Sequence, residues 1–411
     1  MEIKLKKYDS YKDSGVEWLG EIPEGWKISK LGVILTPVSE NNRVDLPLLS
    51  ITREKGVILR DLENETENHN FIPDDLSNYK VLRKGQFGMN KMKAWQGSYG
   101  ISQYDGIVSP AYFIFNLRTD VHAKYFHYAI RSKLFISFFG SASDGVRIGQ
   151  WDLSKARMRE IPFLVPHLQE QTAIANFLDK KSALIEQAIA IKEKQIELLK
   201  ERRQILIHQA VTKGLDKNSK LKDSGVEWIG EIPEGWEVKA LKYIARLQSG
   251  ETISSEKFTE EGYPVFGGNG FRGYTDRFTN EGEFILIGRQ GALCGNVNFA
   301  KGQFFASEHA IVVYIINNES LIWLGEAIKI ADFNRLSQSA AQPGIAVNVI
   351  KNILFPYPSK TEQEQISKYI ENVSNKISNT ISLKEKEIEK LKEYKASLIN
   401  SAVTGKIKVY N

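Results

Sequence analysis

Residues that could perform catalysis are present, but none stands at a spacing typical of a catalytic site. Residues 266–270 read Phe-x-Gly-x-Gly, which superficially fits the S-adenosylmethionine loop of DNA methyltransferases. That segment does not follow an apolar strand, and the sequence has no Asp/Asn-Pro-Pro-Tyr/Phe tetrapeptide and no GxxxxGK[ST] loop to hold phosphates. We interpret residues 266–270 as a glycine-rich β turn. The sequence therefore predicts a protein that is not an enzyme.

Metal binding and thiol chemistry are not indicated either. No histidine has a cysteine or a carboxylate at metal-ligand spacing, and Cys294 lacks the surroundings of an activated nucleophile. A single cysteine excludes a disulfide framework and is typical of a reducing cytosol. We expect no metal site and no cofactor bound by this chain. The scattered histidines are His69, His122, His127, His167, His208 and His309.

Glycine-flanked segments instead carry cations, amides and aromatic rings. In the major groove of DNA, Arg pairs with guanine and Asn or Gln with adenine, while Lys neutralises phosphate. These segments predict contacts with nucleic acid, although each residue alone is also typical of an ordinary loop, and a tryptophan is more often a core ring. The candidate DNA-binding residues are Lys91, Lys93, Trp95, Gln96, Tyr99, Arg147, Gln150, Asn269, Arg272, Arg289, Gln290 and Asn296.

One segment of the chain occurs twice. Residues 12–26 (KDSGVEWLGEIPEGW) and 222–236 (KDSGVEWIGEIPEGW) are identical at 14 of 15 positions. Further along, residues 192–212 and 384–404 match at 13 of 21 positions. Between these repeats the two halves look different. A two-fold internal duplication therefore surrounds two unlike inserts.

Length and composition bound the class of protein. A chain of 411 residues is too long for one ordinary core, so two or more domains are expected. The net charge of +5 is compatible with nucleic acid but is not specific for it. The N-terminus has no apolar signal segment, and no run of 18 apolar residues occurs. We expect a soluble, cytoplasmic protein without a membrane association.

Two long helices are predicted, one after each insert. From Leu168 to about Thr212, and again from about Thr361 to Val403, apolar residues recur at heptad spacing. The first helix spans about 65 Å at ~1.5 Å rise per residue. A short linker follows it, so the second helix must return antiparallel to bury its apolar stripe.

The expected fold class is α+β, with two inserted domains joined by two long antiparallel coiled-coil helices and an internal pseudo-two-fold symmetry. We divide the chain into an N-terminal repeat (1–26), a first variable domain (27–165), a first central helix (166–212), a linker with the second repeat (213–236), a second variable domain (237–357), and a second helix with a tail (358–411).

Together these motifs resemble the specificity subunit of Type I restriction–modification systems. The repeated KDSGVEW-[LI]-GEIPEGW segment carries the resemblance, with Pro-x-x-x-Glu-Gln at the start of both helices and Ala-Val-Thr at their ends. Residues 82–115 resemble one class of target recognition domain, and YPVFGGNGFRGYTDRF with GRQGALCGNV resembles another. The resemblance covers essentially the whole chain.

The resemblance implies a non-catalytic DNA-binding subunit. Each target recognition domain would read one half of a split double-stranded DNA sequence, and the coiled coil would set the gap between the halves. Two methyltransferase subunits would dock on the scaffold and methylate adenine with S-adenosylmethionine. Up to two restriction subunits would add translocation and cleavage driven by ATP and magnesium.

Three other functions fit the sequence less well. The main alternative is a stand-alone two-headed DNA-binding protein without methyltransferase partners. A docking surface should keep apolar residues on the outer face of the first long helix, where Leu198, Ile205 and Ile207 lie off the main stripe. A fused enzyme is disfavoured by the missing methyltransferase tetrapeptide. A purely structural spacer would not need two large, unlike inserts.

Overall fold

The computed structural model describes residues 6–61, 72–145, 151–291, 294–336 and 344–409. The chain divides into two compact units. The first unit contains residues 1–192 and 386–411, and the second contains residues 193–385. Each unit therefore contains the start of one long helix and the end of the other.

The first unit is built from short strands and helices that precede the first long helix. Its strands are β1 (Tyr11–Asp13), β2 (Glu21–Pro23), β3 (Lys27–Lys30), β4 (Leu35–Val38), β5 (Leu49–Thr52), β6 (Gly56–Leu59), β7 (Lys80–Leu82), β8 (Phe87–Asn90), β9 (Tyr99–Ile101), β10 (Gly106–Val108), β11 (Tyr112–Leu117), β12 (Ser143–Asp144), β13 (Asp152–Leu153) and β14 (Pro162–Val165). Its helices are α1 (Leu31–Ile34), α2 (Ala123–Ile130), α3 (Lys133–Ser141), α4 (Lys155–Glu160) and the beginning of α5 (Leu168–Lys213).

An antiparallel sheet of order β4-β11-β8-β9 forms the centre of the first unit. Helices α2 and α3 are amphipathic, and their apolar faces pack on this sheet together with Phe87 and Phe163. Phe126 lies between these two rings, at centroid distances of 5.1 and 5.0 Å. Such edge-on and tilted ring contacts add to the burial of apolar area. The core thus fixes α2 against the sheet.

The second unit has a larger sheet. Its elements are β15 (Leu221–Asp223), β16 (Glu231–Pro233), β17 (Glu237–Ala240), β18 (Ala245–Ser249), β19 (Tyr263–Gly267), β20 (Gly270–Thr275), β21 (Asn280–Gly288), β22 (Val297–Ala306), β23 (Ala310–Ile315), α6 (Leu321–Ile330), α7 (Val347–Ile350), β24 (Leu354–Tyr357) and α8 (Lys360–Val403), which continues into the first unit. The six-stranded order is β18-β23-β21-β22-β19-β20. Helix α6 packs on this sheet, with Gly325 directly against the Phe299 ring.

The repeated motif forms the same hairpin in each unit. Strands β1 and β2 pair antiparallel, as do β15 and β16. The Lys12 Nζ donates to the Glu24 carbonyl at 2.7 Å, and the Lys222 Nζ donates to the Glu234 carbonyl at the same distance. After each hairpin, one strand enters the insert and pairs with the strand that leaves it, β3 with β14 and β17 with β24. Each insert is therefore closed at its base by a matching two-stranded ladder.

A glycine follows the C-terminal end of each long helix, where that end contacts a repeated motif. Gly405 follows α8 with φ +72°, and an added Cβ would collide with the Pro23 ring and stand 3.4 Å from Trp26. Gly214 follows α5 with φ +74°, and its Cβ would stand 3.1 Å from Trp236. Only glycine adopts this left-handed backbone without strain. The motif of each unit thus holds the end of the long helix that terminates there.

The two long helices run antiparallel within each unit. Successive residues of α5 contact residues that lie progressively earlier in α8. The pairs are Glu186–Lys395 at 2.5 Å and Lys192–Glu387 at 2.5 Å in the first unit, and Gln195–Lys384 at 2.7 Å in the second. These exposed polar pairs contribute little to stability by themselves. They report the direction and register of the helices.

The predicted apolar stripes lie between the helices. The positions that are buried are Leu178, Ile185, Ile196, Ile370, Ile377, Ile388 and Leu398, while Ile189, Leu199, Leu206, Ile381 and Leu391 are half-buried. The predicted fold class, with two α+β domains and two long antiparallel helices, is confirmed. The domain boundaries given above remain predictions.

We predict that Gly405→Ala lowers the free energy of unfolding more than Gly15→Ala does. Both glycines have positive φ, +72° and +67°, so both variants incur the left-handed backbone penalty of about 1–2 kcal/mol. Only Gly405→Ala also overpacks, against the Pro23 ring, at a cost of about 1–3 kcal/mol. At Gly15 an added Cβ meets nothing within 4 Å. Urea unfolding and calorimetry of the two variants would measure the difference, and equal losses would contradict the packing argument.

Candidate nucleic-acid interface

The first candidate surface is the connection between β8 and β9. The Asn90 side chain accepts a hydrogen bond from the Met92 backbone N–H at 3.1 Å, which turns the chain out of β8. Residues 94–96 then form one turn of 3₁₀-helix that ends at Gly97. An added Cβ on Gly97 would stand 3.3 Å from Ile136, so this turn packs closely on α3. A rigid loop therefore presents the predicted residues.

The structure brings together four of the predicted residues on this loop. The Lys91 Nζ forms an ion pair with Asp152 at 3.1 Å, whereas Lys93 is exposed. The Trp95 indole N–H donates to the Met92 carbonyl at 3.2 Å. Its ring lies 5.1 Å from that of Trp151, and both rings are half-buried. Gln96 is also half-buried. The loop thus combines an exposed cation with partly exposed aromatic and amide groups.

Tyr99 does not belong to this surface. Its side chain is fully buried between Phe87 and Phe139, with ring centroids 5.9 and 4.6 Å away. Burial raises the pKa of its hydroxyl, which has no hydrogen-bond partner among the described residues. A ring in this position cannot reach DNA, so the inclusion of Tyr99 among the DNA-binding residues is corrected to a core role. Two other predicted residues, Arg147 and Gln150, lie outside the described residues.

The second candidate surface lies at the tip of the β19–β20 hairpin. Asn269 is exposed at this tip, and its Oδ1 lies 3.4 Å from the Asn296 Nδ2 of the loop between β21 and β22. An added Cβ on Gly268 would stand 3.1 Å from the His309 carbonyl and 3.3 Å from the Gln290 carbonyl. The glycine therefore lets the hairpin tip lie against the neighbouring loop, and three predicted residues become neighbours.

The remaining predicted residues flank this tip. Arg272 is exposed on β20, with its guanidinium 5.7 Å from the centroid of the Phe258 ring. Arg289 is half-buried, and its backbone N–H donates to the His309 carbonyl at 2.8 Å. Gln290 is exposed and pairs through its backbone with Gly344. The second unit thus gathers two arginines and three amide side chains around one hairpin.

Several exposed apolar side chains beside these residues were not predicted. Met92 is 53% exposed between Lys91 and Lys93. Phe271 is 54% exposed, and its ring lies 5.0 Å from that of Tyr274, on either side of Arg272. The sequence signal that could have identified these exposed side chains is an apolar residue within a run of polar and glycine residues.

The segments that the sequence analysis considered for chemistry can be located among the described residues. The segment at 266–270 forms the turn of the β19–β20 hairpin, as interpreted from the sequence. The Cys294 thiol is buried, donates to the Arg289 carbonyl at 3.4 Å, and has its pKa raised by burial. Among these residues, no three His, Cys, Asp or Glu side chains are arranged to hold a metal ion. No described helix is long and apolar enough to cross a membrane.

Comparison with known proteins finds similarity to one family. Residues 233–393 match the model of the Type I restriction modification DNA specificity domain. A stretch of 134 residues is 40% identical to the Type I restriction enzyme EcoprrI specificity subunit of Escherichia coli. The chain is therefore similar to the specificity subunits of Type I restriction–modification systems. The E. coli alignment spans 31% of this chain and 33% of that subunit.

Other specificity subunits align over more of the chain. The MjaVIII subunit of Methanocaldococcus jannaschii is 27% identical over 70% of this chain and 71% of its own length. The putative MjaX subunit of the same organism is 22% identical over 99% of both. These relatives give no support to a stand-alone DNA-binding protein.

Solved structures share the fold. A chain from a study of complex assembly and conformational transition of the type I R-M system superposes with a TM-score of 0.69, at 15% identity, over 93% of this chain and 98% of its own. The HsdS subunit from Thermoanaerobacter tengcongensis gives a TM-score of 0.57, at 15% identity, over 94% and 98%. The two-domain α+β architecture is therefore that of known specificity subunits.

We predict that Tyr99→Phe leaves the free energy of unfolding unchanged or raises it by up to about 1 kcal/mol, because the buried hydroxyl that it removes has no described partner. Tyr99→Ala should instead lower that free energy by about 3–5 kcal/mol through the cavity that it leaves. Thermal and urea unfolding of both variants would measure this. Marked destabilisation by the phenylalanine would show that the hydroxyl is hydrogen-bonded in solution.

Proposed function

We propose that this chain is the DNA-specificity subunit of a Type I restriction–modification complex. Each recognition domain reads one half of a bipartite double-stranded DNA target, and the antiparallel helices set the spacer between the halves. The observation that carries the proposal is the duplicated frame. The same hairpin, the same closing ladder and the same helix ends hold two inserts with different sheets.

In this proposal the chain is not catalytic. Two methyltransferase subunits supply adenine methylation with S-adenosylmethionine, and up to two restriction subunits supply cleavage with ATP and magnesium. The similarity to Type I specificity subunits supports this division of work. We retain residues 27–165 and 237–357 as the extents of the two recognition domains.

Each domain offers groups suited to its part of the DNA. In the first, Lys93 would neutralise a phosphate while Gln96 and the pair of tryptophans lie beside it. The undescribed Arg147 and Gln150 remain candidates there. In the second, the amides and arginines around the hairpin tip can pair with adenine and guanine edges. The different side chains at the two surfaces support different half-sites.

The outer face of α5 supports docking of partner subunits. Four apolar side chains at a spacing of seven residues, which suits packing against a further helix, are each about half exposed. They are Leu184 and Ile191 in the first unit, and Leu198 and Ile205 in the second. Ile207, which was expected on this face, is instead 9% exposed and belongs to the core of the second unit.

The test is a methylation map of genomic DNA from cells that express this chain with its co-encoded methyltransferase, compared with cells that lack the chain. We expect new adenine methylation in a split motif with an undefined gap. Absence of such methylation, despite formation of a complex, would overturn the proposal.

Replacement of residues 27–165 by another first recognition domain should change one half of the methylated motif and leave the other half unchanged. The reason is that each domain sits in its own unit, on its own closing ladder. The same methylation map reads the outcome. A chimera that altered both halves together would show that the domains are not modular.

We further predict that Lys93→Ala weakens binding to all DNA sequences alike and reduces the slope of log K against log salt concentration by about 1, as expected for one lost phosphate contact. Tyr99→Phe, in the adjoining strand β9, is the control and should change neither quantity, since Tyr99 is buried. Fluorescence anisotropy at several salt concentrations measures both. An unchanged slope would remove Lys93 from the interface.

A further inference from the structure

Each long helix carries a fully buried glutamine in its first turn. In the first unit the Gln171 Oε1 accepts a hydrogen bond from the His122 backbone N–H at 2.8 Å. The Gln171 Nε2 donates to the Asp120 and Pro166 carbonyls, both at 2.9 Å. One side chain thus joins the long helix, the segment that leads into that helix, and the loop that enters α2.

The second unit repeats this arrangement. The Gln363 Oε1 accepts from the Ser320 N–H at 3.0 Å. Its Nε2 donates to the Pro358 carbonyl at 3.2 Å and to the Glu319 carboxylate at 2.7 Å. His122 and Ser320 are the N-cap residues of α2 and α6. We name the two buried glutamines, with these hydrogen-bond partners, the glutamine clamps.

In both units a clamp links the N-terminus of the domain helix, α2 or α6, to the start of a long helix. Other links between the domain helix and the long helix differ. In the first unit the Lys124 ammonium and the Tyr128 hydroxyl bind Asp179 at 2.6 and 2.8 Å. In the second unit the Ser320 and Ser367 hydroxyls lie 2.5 Å apart. A contact kept in both units, on otherwise different domains, points to a role in the frame rather than in either insert.

The clamp geometry resists tilting of the domain. In each clamp both N–H donors and the carbonyl oxygen of the amide are used, and all three bonds are directional. A tilt of α2 or α6 about the start of the long helix would lengthen at least one bond to a buried group, which is unfavourable because no water replaces it.

A small tilt at the attachment becomes a larger displacement at the far edge of the domain. A domain of about 130 residues has a radius of gyration of roughly 14 Å, so its far edge lies about 30 Å from the attachment. At that distance a tilt of about 6° moves the edge by about 3.4 Å, the rise of one base pair in B-DNA.

We propose that Gln171 and Gln363 are positioning residues that set the spacer length accepted between the two half-sites. This inference rests on the proposed function. The length of the helices sets the coarse distance, and the clamps hold each domain at the angle that restricts the spacer to one value. The half-site bases themselves are read elsewhere and do not depend on the clamps.

The test uses the full chain in complex with its methyltransferase. DNA duplexes carry both mapped half-sites with the native spacer, or with a spacer one base pair shorter or longer, and the rate of methyl transfer is measured. Gln171→Met and Gln363→Met remove the clamp bonds at similar size. We expect each to reduce the preference for the native spacer at least ten-fold, with no change in the bases recognised.

Gln187→Met is the matched control, because Gln187 is exposed on the same helix and its replacement should leave the spacer preference unchanged. A second variant reaches the clamp from its other side. His122→Pro removes the backbone N–H that donates a hydrogen bond to the Gln171 Oε1. The φ of −71° at His122 already suits proline. It should relax the spacer preference as Gln171→Met does. Hydrogen exchange at the His122 and Ser320 amides reports whether each methionine variant has opened its clamp.

The outcomes separate the inference from the proposed function. If the wild-type complex methylates no bipartite duplex, the proposed function fails, and the inference with it. If the wild type prefers one spacer and the variants keep that preference while clamp amides exchange faster, the inference alone is overturned. If a methionine variant lost methyl-transfer rate equally on all three duplexes, the glutamines would stabilise the fold without selecting the spacer, and the inference would again be overturned.

Discussion

Each long helix ends against a proline and a tryptophan of the repeated motif, and the organisation of the chain depends on this contact. The contact requires a glycine in the left-handed conformation after the helix, because any side chain at that position in the first unit would collide with the Pro23 ring. In the first unit the motif near the N-terminus holds the end of α8, and in the second the internal motif holds the end of α5. The chain must therefore return along α8 to complete the unit in which it began.

This contact explains why the repeats are so similar while the inserts are not. Trp26 and Trp236 are almost fully buried, and each packs against a helix end whose last residues are Ala-Val-Thr in both copies. The two copies of the frame differ in individual hydrogen bonds. Glu362 accepts a hydrogen bond from the Trp236 indole at 2.9 Å, whereas its counterpart Glu170 accepts one from the Tyr8 hydroxyl at 2.6 Å. A frame with these constraints tolerates few changes, but it places almost none on the inserted domains.

The elements that the sequence predicted well are those set by local pattern. The recurrence of apolar residues at heptad spacing predicted α5 and α8. The candidate surfaces were harder to predict, because exposure depends on distant packing. Tyr99 stands in a polar, glycine-flanked run like its neighbours, yet β9 turns it into the core against Phe139. The proximity of Asn269 to Asn296 depends on the close approach of Gly268 to another loop, which no spacing in the sequence indicates.

The matching ladders at the base of the inserts have a consequence for how such chains can diversify. The ladder of β3 with β14 and that of β17 with β24 offer the same two points of attachment, one strand in and one strand out. A domain moved from one slot to the other would find equivalent partners there. A domain taken from a related chain would then fit either slot and replace one half-site without altering the other. New recognition sequences could therefore arise by genetic shuffling alone, with no new contact evolved.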